Sequence, residues 1–123
     1  MLEAAAVLLL FCGFAHSYLG EKYILIRLFK RDNLPKLFGS DGFTKRVLRF
    51  AWHLTTLAWW GFAAIIYFIL HPSGNYSIDI LHSIAVVFIL SGIMSLVFTR
   101  GKHLSWLFFF CIAGLCIAVG NNY

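Results

Sequence analysis

The sequence predicts an all-α polytopic integral membrane protein, a four-transmembrane-helix bundle that forms one domain over residues 1–123. Hydrophobic residues make up 61% of the chain, charged residues only 12%, and the mean hydropathy is +0.84. Soluble domains carry about a quarter charged residues, so this chain has roughly half the charge that a water-exposed surface needs. Its apolar residues also fall in four long blocks, with the basic residues gathered between them. This composition excludes a soluble enzyme, a disordered tail and a free nucleic-acid binder.

The first predicted span covers residues 4–19. A bilayer core needs about 20 apolar residues in a helix, because unpaired backbone groups are unstable there. A secretory signal would begin with a positive region, whereas the only early charge is Glu3. We therefore interpret this segment as a retained helix. The basic loop at about 20–49 begins with apolar residues, which indicate either a continuation of this helix or an interfacial amphipathic helix ending before Pro35.

The second, third and fourth spans are predicted at residues 50–70, 80–98 and 104–119. Ser40-Asp41-Gly42 is a helix N-cap sequence, so the second helix should begin in water near Gly42. The sequence from His71 to Asn75 contains Pro and Gly and predicts a turn. Ser77 is the expected cap of the third helix, with Asp79 complementing the helix dipole. Gly101 and Gly120 mark the ends of the third and fourth helices.

The distribution of basic residues predicts the orientation of these helices. Eight of the ten Lys and Arg residues lie between Lys22 and Arg49, and the other two are Arg100 and Lys102. Because short cytoplasmic loops are enriched in Lys and Arg, residues 20–49 and 100–103 should be cytoplasmic. Both termini and the 71–79 turn should then face outward. We expect a bacterial-type inner membrane, with anionic lipid head groups attracted to the basic loop and no nucleic-acid partner.

The candidate binding residues are those that would lie near the cytoplasmic ends of the first two helices. His16 and His53 should lie about 6 Å inside the boundary, since each is four residues from it. Two neutral imidazoles at one depth are typical axial ligands of haem b, or could hold a transition metal together with Cys12. They could equally bind a quinone carbonyl, with Glu21 relaying a proton, and Trp60 needs an acceptor for its indole N–H. Alternatively, the histidines only form hydrogen bonds between helices.

The predicted cofactor-binding residues are thus His16, His53, Glu21 and Trp60, and the predicted metal ligands are His16, His53 and Cys12. The third helix carries hydroxyl groups at four-residue spacing beside Gly92, which predicts a close helix contact; they belong to Ser91, Ser95 and Thr99. No catalytic motif is found. We therefore expect an accessory or binding role without catalysis, in a protein that docks to itself or to a larger membrane complex. The alternatives are a haem or metal redox protein, a quinone- or lipid-binding protein, and an oligomeric small transporter.

Overall fold

The computed structural model describes residues 1–122, and helices are the only long elements among them. The helices are α1 (Leu2–Leu28), α2 (Gly42–Leu70), α3 (Tyr76–Thr99) and α4 (Ser105–Gly120). The first three are long and apolar enough to cross a membrane. Helix α4 has 16 residues and is therefore about 24 Å long. The predicted all-α class and the apolar helices are confirmed.

Helix α1 is longer than the predicted 4–19 span. It continues past Leu19 through a π-helical turn, Gly20–Leu25, and ends at Leu28. Of the two alternatives for the start of the basic loop, the structure has the continued helix and not the interfacial one. A π-helical turn adds a residue to the helix turn and so rotates the side chains that follow it. The turn buries Leu25, whose exposure is only 2%.

Helix α2 begins at Gly42 and its N-cap lies within Ser40-Asp41-Gly42, as the sequence predicts, with the Gly42 N–H donating to the Ser40 hydroxyl oxygen at 3.4 Å. Asp41 occupies the N-cap position without a side-chain capping bond, and its carboxylate instead pairs with Lys45 at 2.7 Å. The preceding loop is tied to the helix because the Thr44 hydroxyl donates to the Pro35 carbonyl at 2.8 Å. The helix therefore starts at a folded loop and not at a free coil.

Helix α3 is capped by Asn75, and the prediction that Ser77 caps it is wrong. Asn75 has an extended backbone and its Oδ1 accepts the Ser77 N–H at 3.0 Å, while Ser77 already lies inside the helix. Asp79 does lie in the first turn, where it accepts the Ser73 hydroxyl at 2.6 Å. At the other end Arg100 and Gly101 both have positive φ, and the Gly101 N–H bonds to the Leu96 carbonyl.

The four helices are arranged in chain order as an open bundle. Within residues 1–122, close backbone contacts between these helices join α1 to α2, α2 to α3 and α3 to α4. Helix α4 also leans towards α2, since the rings of Phe109 and Phe50 have their centroids 6.4 Å apart. The bundle is not closed by a contact between α1 and α4. Each of these outer helices therefore packs on one neighbouring backbone only.

The contact between α3 and α4 is formed by small and hydroxyl-bearing residues, as predicted. The predicted hydroxyl residues of α3 are all buried: Ser91, Ser95 and Thr99. Ser95 and Ser105 share a hydrogen bond of 2.7 Å between their hydroxyl oxygens. Gly92 lies against the ring of Phe110, where a Cβ would collide. The small residues thus let the two helices approach closely enough for hydroxyl groups to bond across the interface.

All ten Lys and Arg residues lie towards one end of the helix assembly, which we call the basic end. The two basic loops meet there, because the Lys102 ammonium lies 4.9 Å from the centre of the Phe38 ring. The opposite end, which we call the terminal end, carries the start of α1, the end of α4 and the turn between α2 and α3. There the His71 imidazole lies 3.9 Å from the Glu3 carboxylate, and Gly120 lies beside the His82 ring. The charge of the chain is therefore strongly asymmetric along the helix axes.

Candidate functional site

Helices α1 and α2 are joined by a series of bonds from side chains of α2 to carbonyl groups of α1. The donors recur every four residues and the acceptors every three, running in opposite directions along the two chains. The pairs are Trp52 with the His16 carbonyl (3.1 Å), Thr56 with that of Gly13 (3.4 Å) and Trp60 with that of Leu10 (3.3 Å). The predicted need of the Trp60 indole for an acceptor is thus confirmed, and it is satisfied by protein.

Two glycines of α1 provide the space for two of these indoles. A Cβ added at Gly13 would collide with the Trp60 ring, and one added at Gly20 would collide with the Trp52 ring. Gly13 and Gly20 are seven residues apart, which places them on one face of a helix. Because neither glycine has a side chain, the two indole rings of α2 lie directly on the α1 backbone. This close fit fixes how the two helices are rotated about their axes.

A polar network lies at the basic end of this interface. The Arg49 guanidinium donates two bonds to Glu21, from Nη2 to Oε1 at 2.7 Å and from Nε to Oε2 at 3.1 Å. The imidazole of His53 lies between Glu21 Oε2, 3.2 Å from its Nε2, and the Ser17 hydroxyl, 2.6 Å from its Nδ1. With a neutral ring, Nε2–H donates to Glu21 and Nδ1 accepts from Ser17, an assignment that follows from the partners.

The two predicted histidines are both in this interface, but they have different partners. The His16 ring stacks on Trp52, with centroids 4.6 Å apart and planes only 2° apart. Its Nε2 lies 3.3 Å from the Trp52 carbonyl, so His16 and Trp52 are linked in both directions. The edge of His16 also meets Trp59, at 4.9 Å between centroids. His16 therefore contributes to packing, whereas His53 belongs to the charged network.

The predicted ligands of a haem or a metal, His16, His53 and Cys12, are not arranged as a ready ligand set. Both ring nitrogens of His53 are engaged, by Ser17 and Glu21, so axial ligation would require at least one of these bonds to break. Cys12 is exposed. Across residues 1–122 there is no group of three or more His, Cys, Asp or Glu side chains that could hold a metal ion. This arrangement gives the haem and metal prediction no support, and it stays a prediction.

Two clefts flank α2 in the half of the protein towards the terminal end. One, of about 450 Å³, lies between α1 and α2 and has Glu3 and His71 at its polar end. The other, of about 370 Å³, lies between α2 and α3 and has Asp79 and His82 at its polar end. Both are otherwise mainly apolar, and they share three lining residues, Trp60, Ala64 and Phe68. Of the predicted site residues, Trp60 is the one that lines these clefts.

The sequence interpretation placed Glu21 and His53 in one site, and the structure brings them together. Ser17 and Arg49, the other two members of the network, were not among the predicted binding residues. The sequence shows only that both pairs have four-residue spacing, 17 and 21 on α1 and 49 and 53 on α2; the antiparallel register in the structure brings them face to face. The glycines that receive the indoles and the paired clefts have no signal in the sequence, since both depend on how the helices are rotated.

No protein family, curated protein or solved structure matches this chain. Its function therefore has to be inferred from the geometry of its own residues.

Proposed function

We propose that this chain is an accessory binding protein of a bacterial-type inner membrane, one that docks to itself or to a larger membrane complex without catalytic turnover. In this proposal it crosses the bilayer four times, with both termini outside. The observation that carries the proposal is the location of all ten Lys and Arg residues at one end of an open row of apolar helices.

The charge asymmetry supports the orientation. Cytoplasmic loops retain Lys and Arg, so the basic end belongs in the cytoplasm and the terminal end outside. At the terminal end the charged side chains near the boundary are Glu3 and Asp79, with no Lys or Arg. Helix α4 is shorter than the roughly 30 Å hydrocarbon core, and local thinning of the bilayer would allow such a helix to span it.

The open arrangement supports the docking role. Large apolar side chains of the outer helices are widely exposed, including Phe11 and Phe14 on α1 and Phe108 and Leu115 on α4. Inside a bilayer, lipid chains can cover such residues, so exposure alone does not require a partner. What favours a partner is that α1 and α4 each make close backbone contacts with only one other helix, which leaves much of their surface available for helix–helix packing.

The basic end supports a contact with anionic lipid head groups. Each Lys or Arg close to a negatively charged membrane surface contributes about 1 kcal/mol of attraction. Arg49 is committed to Glu21, but Lys30, Arg31 and Lys36 lie in the exposed loop. These residues can reach lipid phosphates without breaking an internal bond. This attraction would hold the loop at the membrane surface beside any docked partner.

Two measurements test this proposal. Reporter fusions after residues 34 and 103 should be active only as cytoplasmic reporters, and fusions after residues 74 and 122 only as external reporters. Extraction into native nanodiscs should then give particles heavier than one chain, through a second copy or another membrane protein. Reporters that place residue 34 outside would overturn the topology. Particles that contain a single chain at every detergent-free concentration tested would overturn the docking role.

A further inference from the structure

We propose that the two clefts beside Trp60 form one binding site for a lipid-soluble quinone, a flat uncharged ring with an apolar tail. This inference deepens the binding role proposed above and rests on the membrane placement given there. It differs from a quinone site at His16 and His53, because the clefts lie in the other half of the protein.

The size of the clefts suits a small ligand. Their volumes, about 450 Å³ and about 370 Å³, fall within the range of roughly 300–1,000 Å³ typical of small-molecule sites. They adjoin along α2, because Trp60, Ala64 and Phe68 line both. The side chain of Ala64 is short, so it leaves space between the two larger rings. A ring in one cleft can therefore extend its tail into the other without leaving the surface of α2.

The charges around the clefts select an uncharged ligand. The ionisable groups in their lining are carboxylates, imidazoles and one phenol: Glu3, His71 and Tyr67 in one cleft, and Asp79 and His82 in the other. The basic residues all lie towards the opposite end of the helices. An anionic phospholipid head group would therefore meet carboxylates, with no Lys or Arg side chain in the lining of either cleft to pair with. An imidazole N–H, in contrast, can donate to the carbonyl oxygen of a neutral ring.

The aromatic wall favours a ring over a simple acyl chain. The Trp60 indole is held in place by its bond to the Leu10 carbonyl and by Phe14, whose ring centroid lies 4.7 Å away. Gly13 leaves room for that position. A fixed indole offers a flat surface on which another ring can stack, an interaction of about 0.5–1.5 kcal/mol beyond the burial of area. A saturated chain would gain only the burial.

Fluorescence quenching can test this site, because quinones quench indole emission at short range. The protein, reconstituted in nanodiscs of neutral lipid, is titrated with a short-chain ubiquinone. We expect a saturable quenching component above the linear background of quinone dissolved in the bilayer. Trp60→Phe should remove this component. Trp59→Phe is the matched control, since Trp59 is adjacent in α2 but lies against His16 and not in the clefts, and it should retain it.

A second pair of variants tests occupancy without removing the reporter. Ala64→Leu should raise the half-saturating quinone concentration at least tenfold by filling the space shared by the clefts. Ala51→Leu, at an exposed position of α2, should leave it unchanged. Phe68→Leu is the milder alternative to Ala64→Leu, because it removes an aromatic wall without adding volume. Circular dichroism and particle size identify any variant that has not folded.

Three results would overturn the proposal. The first is quenching that rises linearly with quinone concentration throughout the titration. The second is a saturable component that is unchanged in both Trp60→Phe and Ala64→Leu. The third is displacement of the quinone by a saturated alcohol of equal length. The last result would mean that the clefts hold any lipid chain. Failure of the quenching test leaves the topology reporters and the particle mass unaffected, so it is distinguishable from failure of the membrane docking role.

Discussion

The fit of Trp52 against Gly20 predicts that a single methyl group at this position will destabilise the protein. In most helix interiors Gly→Ala stabilises, by about 0.5–1 kcal/mol, because alanine loses less backbone entropy on folding. At Gly20 the new Cβ would collide with the Trp52 ring. That ring cannot move freely, since it is bonded to the His16 carbonyl and stacked on the His16 imidazole. The collision must therefore separate the helices or displace the indole.

The size of the effect follows from these contacts. Overpacking of a close contact costs about 1–3 kcal/mol. Displacing the indole also weakens its bond to the carbonyl, which contributes about 0.6–2 kcal/mol within a membrane. Against these costs stands the gain of about 0.5–1 kcal/mol from the alanine itself. Together these contributions predict that Gly20→Ala lowers the free energy of unfolding by about 1–4 kcal/mol.

Gly114 supplies the matched control, because apart from its chain neighbours and the backbone of its own helix no atom lies within 4 Å of the Cβ position there. Gly114→Ala should leave the free energy of unfolding unchanged or raise it by up to about 1 kcal/mol. Both variants can be compared with the wild type by titrating SDS into mixed micelles and following circular dichroism. The double variant Gly20→Ala/Trp52→Phe should be more stable than the sum of the two single changes predicts, by about 1 kcal/mol or more, since the smaller ring relieves the collision.

The result that would refute this reasoning is specific. If Gly20→Ala stabilises the protein as much as Gly114→Ala does, Trp52 does not rest on the α1 backbone. If the double variant shows no coupling between residues 20 and 52, the destabilisation has another cause. Either result would also remove the reason given for the rotation of α1 against α2.

Three further outcomes are expected. A double-mutant cycle of Glu21→Gln and Arg49→Gln should give a coupling free energy of about 1 kcal/mol or less, because both side chains are partly exposed. A coupling above about 3 kcal/mol would contradict that exposure. Ser95→Ala should lower the free energy of unfolding by about 0.6–2 kcal/mol in the same SDS titration, because the hydrogen bond to Ser105 is lost. No change in this free energy would show that the bond does not form. Gently purified protein should show no Soret band in its absorption spectrum, because both ring nitrogens of His53 form hydrogen bonds. A Soret band that disappears in His53→Ala would instead establish the haem alternative.

Part of the candidate site could be predicted because it depends on position along a helix. Glu21, His53 and Trp60 are polar or amphipathic groups inside or beside apolar segments, where each needs a partner. Their depth follows from counting residues, so their placement in one interface could be anticipated. Their actual partners could not, since Ser17 and Arg49 become relevant only when the register between α1 and α2 is known.

The boundaries of the helices were partly determined by the sequence as well. The composition, the apolar blocks and the glycine and proline positions predicted four helices, and the start at Gly42 was correct. The continuation of α1 to Leu28 was one of two alternatives that the sequence left open, and the cap at Asn75 was not predicted. In both cases several local alternatives have similar energies, and contacts with neighbouring segments decide between them.

The order and composition of the residues were enough to establish that this protein is helical, strongly apolar and polarised in charge. These properties are sums over residues along the chain, and they do not depend on which residues touch. The packing of the helices was needed to show that the indoles rest on glycines, that His16 and His53 have separate partners and that two clefts meet beside Trp60. Each of these depends on the rotation of one helix against another, which is set by packing between side chains far apart in the sequence.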